Sequence, residues 1–138
     1  MPSDDFKRSQ PETLRLRALT PSLTVRDLEA SLTWYRDVVG FHVAQAWDEG
    51  GVVKGYELIA GSEQIFLSQD DFSKGKDRVK GVGMRFHLET AQDIDTLAGH
   101  IQARGGTLES GPGDTPWGTR AFTVVDPDGF RFTISSAG

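Results

Sequence analysis

The chain has no cysteine in its 138 residues. That excludes a disulfide framework, a thiol nucleophile and any thiolate metal site. No apolar run approaches the roughly 18 residues of a membrane helix, and the opening MPSDDFKRSQPET lacks the apolar stretch of a signal peptide. Basic residues are in the minority, with 15 Lys+Arg against 20 Asp+Glu and a formal net charge of −5. A nucleic-acid binder should carry a basic patch, so that class is set aside. The acidic balance speaks mainly to solubility, with a mild bias toward a cationic guest. There is no phosphate-binding glycine motif, nucleophile elbow or zincin pattern. The expectation is a single-domain, cytoplasmic protein that engages neither nucleic acid nor membrane.

What is present is a duplication. The segment TVRDLEASLTWYRDVVGF (Thr24 to Phe41) aligns without a gap on AQDIDTLAGHIQARGGT (Ala91 to Thr107). Asp27-Leu28 falls on Asp93-Ile94, and Gly40 on Gly106. Each segment enters from a β-like stretch, runs as a short amphipathic helix and stops at glycine, as internal repeats do. Residues 1–13 read as a flexible polar arm. A first module over 14–70 and a second over 81–138 are joined by a polar, aperiodic linker at 71–80, together forming one domain.

In the first module, Leu14 to Val25 reads as a strand, with Pro21 marking an edge or a bulge. A helix follows from the N-cap Asp27, with Leu28, Leu32, Tyr35 and Val39 on one face and Gly40 as its stop. Strands are expected at Phe41 to Trp47, Val52 to Ile59 and Glu63 to Ser68. The second module repeats the order: a strand at Val82 to Thr90, a helix at Asp93 to Arg104, and strands at Thr107 to Ser110, Arg120 to Val125 and Phe130 to Ser135. Asp126-Pro127-Asp128-Gly129 makes the last hairpin turn. Gly50-Gly51 and Gly111-Pro112-Gly113 read as turns. The fold class is α+β, two tandem βαβββ modules forming a curved mixed sheet, a cup.

Val25-Arg26-Asp27-Leu28, Trp34-Tyr35-Arg36-Asp37, Val39-Gly40-Phe41, and Trp117-Gly118 through Phe122 to Asp126-Pro127-Asp128-Gly129 carry a family likeness. With them the chain resembles the vicinal-oxygen-chelate superfamily of glyoxalases, extradiol dioxygenases and fosfomycin- and bleomycin-resistance proteins. The resemblance implies a divalent metal at the base of the cup, held by His, Glu or Gln from the first and last strands of each module. The matching positions here are Thr20, Phe66, Arg85 and Thr133, with Phe86 replacing Arg85 if no residue is inserted near Ala91. Thr, Phe, Arg and Thr cannot make that site, since a guanidinium has no lone pair to give. The resemblance is therefore to the metal-free, bleomycin-resistance-like branch. It implies a homodimer that binds a small organic molecule stoichiometrically in a cup or dimer groove, with no cofactor. Antibiotic-like, cationic or planar compounds are the candidate guests. It also allows the segment near Leu14 to Arg17 to cross to the partner.

Several residues are candidates for the pocket lining. His87 shares a strand face with Arg85 and Glu89, opposite Phe86 and Leu88. His87 and Glu89 are either a polar wall or two ligands of a relocated metal site, which would need about three. Arg85 is an anion clamp or a partner of Glu89. Trp117 stacks on a planar guest or packs its loop. Tyr56, Phe66 and Phe122 line the pocket or fill it. Trp34 and Tyr35 read as core, and His100 as a helix-surface residue. Two further readings stand beside the metal-free binder. One is a metal-dependent lyase or dioxygenase with its site moved to His87 and Glu89. The other is a filled-cup interaction protein.

Overall fold

The computed structural model describes residues 14–137, so the arm expected at 1–13 lies outside the described residues. The first strand, β1 (Ser22–Val25), leads to Asp27, whose carboxylate accepts the Ala30 N–H and caps α1 (Leu28–Leu32). From Thr33 to Val39 the helix widens to a π-helix. There the Tyr35 carbonyl takes the N–H groups of both Gly40 and Phe41, at 3.0 and 2.8 Å. Gly40 ends it at φ 113°. Then β2 (His42–Glu49), β3 (Val52–Ala60) and β4 (Glu63–Gln69) form a meander. β4 returns parallel to β1, giving the order β1-β4-β3-β2.

The second unit has the same plan. β5 (Arg85–Thr90) leads to α2 (Ile94–Ala103), capped by Asp93 onto Thr96. β6 (Leu108–Asp114), β7 (Arg120–Val125) and β8 (Arg131–Ser136) follow. β5 lies parallel to β8 in the order β5-β8-β7-β6. The fold is α+β with two open, four-stranded mixed sheets. No helix among the described residues is long and apolar enough to cross a membrane.

The repeats differ from the ungapped alignment in one respect. A π-helical turn holds one residue more than an α turn, and α2 has no such stretch. The positive-φ residue after α2 is Gly105, at 94°, so Gly105 is the counterpart of Gly40. Gly106 is small for another reason: a Cβ there would meet side-chain atoms of Ile101 and Val38 at 2.5 and 2.7 Å.

Three expected segments change. The strand expected at Leu14 to Val25 starts only at Ser22. Pro21 offers no N–H to a ladder, and its carbonyl makes the last bond, accepting from Phe66 N at 2.9 Å. Upstream, Leu14, Leu16 and Leu19 are 78%, 64% and 83% exposed. β1 is an edge strand, as Pro21 suggested. The strand expected from Val82 starts at Arg85, after the positive-φ residues Gly81 and Gly83. Gly111-Pro112-Gly113 is not a turn but an irregular part of β6, where the register with β7 shifts between Ser110 and Gly113.

The segment between the sheets is pinned at both ends. The Asp70 N–H bonds the Val25 carbonyl, and Lys80 Nζ lies 2.7 Å from Asp70 Oδ2, with both side chains buried. The hydrogen bonds from Lys80 and from the Phe72 N–H hold the Asp70 carboxyl below the usual carboxylate range.

One apolar cluster unites the halves, with Leu58 and Leu67 from the first sheet and Phe122, Val124, Phe132 and Ile134 from the second. Tyr35 bridges them. Its ring packs edge-on against Phe132, centroids 5.7 Å apart, and its hydroxyl donates to Asp126 Oδ2 at 2.7 Å. Burial, then the Asp126 charge, pushes the Tyr35 phenol well up. Burial also raises the Asp126 carboxyl, against the opposing hydrogen bonds from Tyr35 and the N–H groups of Phe130 and Asp128. Asp128 accepts from the Arg26 backbone and guanidinium. The last hairpin turn is thus tied to the first unit. Because the sheets share a core, each turns its other face outward.

Candidate functional site

Alternation along β5 sends Arg85, His87 and Glu89 outward, while Phe86 and Leu88 pack inward. Phe86 stacks on Phe132 at 5.1 Å. Of the two residues the resemblance allows at the third ligand position, Arg85 faces outward and Phe86 inward. Arg85 Nη1 donates to Thr133 Oγ1 at 2.9 Å, and Thr133 shares a hydrogen bond of 3.1 Å with Thr123 Oγ1. His87 is the register neighbour of Thr133.

The connection between β6 and β7 is a tight turn. The Thr115 N–H donates to the Thr119 carbonyl at 2.7 Å, and the two hydroxyls lie 2.8 Å apart. That turn presents Trp117, 74% exposed. Arg85, His87, Thr123, Thr133 and Trp117 line one open concavity of about 460 Å³. Glu89 lies farther along the same strand face. Phe122 borders the concavity, but it is 1% exposed and in register with the buried Ile134, so its ring belongs to the core.

The first sheet's outer face is different. Phe66 lies there with Gln64, whose Nε2 donates to Thr20 Oγ1 at 3.4 Å. Thr20 stands just before β1 rather than within it. The Phe66 ring is 5.9 Å from that of Trp47. Trp47 lies over its register partner Gly55, where any Cβ would overlap the indole. The sequence reading missed Trp47. Its signal was Gly55, since a glycine inside a strand marks a close approach.

Tyr56 is not on this face. Its register partner is the buried Leu67, and its hydroxyl donates to Glu29 Oε2 of α1 at 2.7 Å. That hydrogen bond raises its phenol. So Arg85, His87, Thr133 and Trp117 come together, Phe66 and Trp47 lie on the other sheet with Thr20 beside its edge, and Tyr56 turns toward the helix.

The family implies a divalent metal, and these residues do not fit one. Among the described residues, no group of three or more His, Cys, Asp or Glu is placed to hold an ion. The third position carries a guanidinium bonded to the residue at the fourth. His87 and Glu89 share a face, but two donors fall short of the three protein ligands of a catalytic site.

The family model described as Glyoxalase/Bleomycin resistance protein/Dioxygenase superfamily matches residues 16–134. Among solved structures, TnmS3, an antibiotic binding protein from Streptomyces sp. CB03234, superposes with a TM-score of 0.69 at 23% identity, over 92% of this chain and 100% of that one. A glyoxalase/bleomycin resistance protein/dioxygenase from Nocardioides gives 0.69 at 19% identity, over 96% and 91%. TioX from Micromonospora sp. ML1 gives 0.68 at 18%, over 88% and 96%. At these identities the likeness speaks to the fold. No curated protein matches the chain. The matched span covers both βαβββ units up to the last two residues of β8, and the chain belongs to the Glyoxalase/Bleomycin resistance protein/Dioxygenase superfamily.

Proposed function

We propose that this protein is a metal-free member of its superfamily that sequesters a small organic molecule and does not transform it. The observation carrying the reading is the Arg85–Thr133–Thr123 hydrogen-bond chain at the position where the family holds its metal. A guanidinium there repels a cation and offers donors to a guest. The exposed Trp117 beside it and the Trp47–Phe66 pair on the other sheet supply flat apolar surface. TnmS3, a structural neighbour, is described as an antibiotic binding protein, and an antibiotic-like planar compound is a reasonable guest class here, with a resistance role following from it.

The working form in this reading is a homodimer. Both sheets turn their inner faces to one shared core, and in this reading the cup closes when the first sheet of one copy lies over the second sheet of another. The exposed leucines at 14, 16 and 19 fit an arm reaching to the partner. A cytoplasmic setting accords with the lack of cysteine.

The test is calorimetry of chelator-stripped protein with Zn²⁺, Ni²⁺, Mn²⁺ and anaerobic Fe²⁺. We expect no stoichiometric binding. Binding at micromolar or tighter affinity, lost in His87→Ala, would instead establish the relocated metal site of an enzyme. Sedimentation equilibrium should return twice the chain mass.

A further inference from the structure

We infer that the second-sheet concavity is an anion site, and that its guest is a flat aromatic molecule bearing a carboxylate. This rests on the reading of the protein as a small-molecule binder and specifies what that binder recognises.

Charge pairing carries the argument. Arg131, the register neighbour of Arg85, is neutralised by Glu109 at 3.1 Å. Arg120 is taken by Asp95 and Asp114, at 2.6 and 3.0 Å. Asp114, the acid bordering the concavity, is therefore already engaged. Arg85 has no carboxylate partner among the described residues. Its one side-chain hydrogen bond among the described residues runs from Nη1 to the neutral hydroxyl of Thr133. That bond uses Nη1 and leaves open the Nε–Nη2 edge, the side-on fork that a carboxylate accepts in two parallel hydrogen bonds. Thr133 in turn shares a hydrogen bond with Thr123, so the Arg85 partner is itself tied into the sheet.

His87, two residues along the same face, adds a ring N–H donor to the same wall. Shape supplies the aromatic half. Trp117 presents its indole at the concavity's edge, and about 460 Å³ suits a compact bicyclic guest. This wall disfavours the cationic guest that the overall charge of −5 suggests, because the local group facing the guest is an uncompensated cation.

The test uses three probes of one shape: 2-naphthoate, 2-naphthamide and 2-naphthylmethylammonium. Each is titrated into the full chain while the three tryptophan indole N–H signals are followed by NMR, with Trp117 assigned from Trp117→Phe. Naphthoate should bind about tenfold more tightly than the amide. Arg85→Gln should erase that preference, and Arg85→Lys should keep part of it. Equal binding of all three, tighter binding of the ammonium, or a naphthoate preference that survives in Arg85→Gln overturns the anion site while the sequestering role stands. If no probe moves the Trp117 signal, the anion site and the binding role at this face fall together. Arg85 is exposed, so its variants are expected to fold, and their circular dichroism should match the parent's.

Discussion

On the first sheet the outward ladder carries an indole lying over a glycine with a phenyl beside it; on the second, the equivalent ladder carries a guanidinium, an imidazole and two hydroxyls. The strand orders β1-β4-β3-β2 and β5-β8-β7-β6 are the same. The inward residues are also alike in kind, apolar on both sheets and joined in one cluster. A core position must satisfy neighbours from both repeats at once, whereas an outward position meets solvent and the neighbours on its own sheet. Duplication has therefore kept the inner faces alike and let the outer ones diverge, one toward aromatic surface and the other toward charge. The helices show the same contrast at smaller scale, one π-widened and one regular.

Substitutions at Phe132, at Tyr35 and at the two repeat glycines probe how far the halves are independent. Phe132→Ala should have the largest effect. Phe132 touches Trp34 and Tyr35 of the first unit and Phe86 of the second, and opening a cavity there costs about 3–5 kcal/mol. Urea unfolding followed by fluorescence and by circular dichroism should show one coincident transition at a lower midpoint. Two separated transitions would mean that the sheets melt separately and that the shared core couples them little.

Tyr35→Phe comes next. It leaves buried Asp126 without its phenolic donor, at about 1–3 kcal/mol near neutral pH. The folded phenol titrates far above its unfolded counterpart. The stability it contributes is therefore complete below the unfolded value of about 10 and is lost as pH rises beyond it. The gap between wild type and variant should narrow above that pH in denaturant titrations. A constant gap would mean that the phenol titrates alike in both states.

The smallest effect separates two glycines that the repeat alignment treats as one. Gly40→Ala meets only the penalty of a left-handed backbone, about 1–2 kcal/mol, and Gly40→Asn should cost less, because asparagine tolerates that conformation. At Gly106 the order should reverse, since the obstacle there is space against Ile101 and Val38. Melting temperatures of the four variants decide it. The same order at both sites would put the two glycines back in one role.

Much of the scaffold was legible because it rests on local rules. The Asp27 and Asp93 caps, the turn at Asp126 to Gly129, and the alternation that separates Arg85, His87 and Glu89 from Phe86 and Leu88 all follow from short-range chemistry. What escaped depends on partners distant in the chain. Leu14 to Thr20 alternate like a strand but find no ladder among the described residues, and Gly111-Pro112-Gly113 is strand only because β7 lies alongside. Tyr56 was assigned to the pocket because a strand's two faces cannot be told apart until its neighbours are known. Trp47 was overlooked because only the register of β2 on β3 sets it above Gly55. The extra residue in the first helix left no mark that an ungapped alignment can register.

The buried Lys80–Asp70 contact also bears on how the polypeptide tolerates being cut. Between its two ends run the exposed Lys74, Lys76 and Arg78, natural points for a protease. Each resulting fragment would retain one full sheet, one member of the ion pair and its share of the common core. The halves have reason to stay together after the chain is severed, and the molecule is a ready scaffold for split-protein complementation or for new termini by circular permutation.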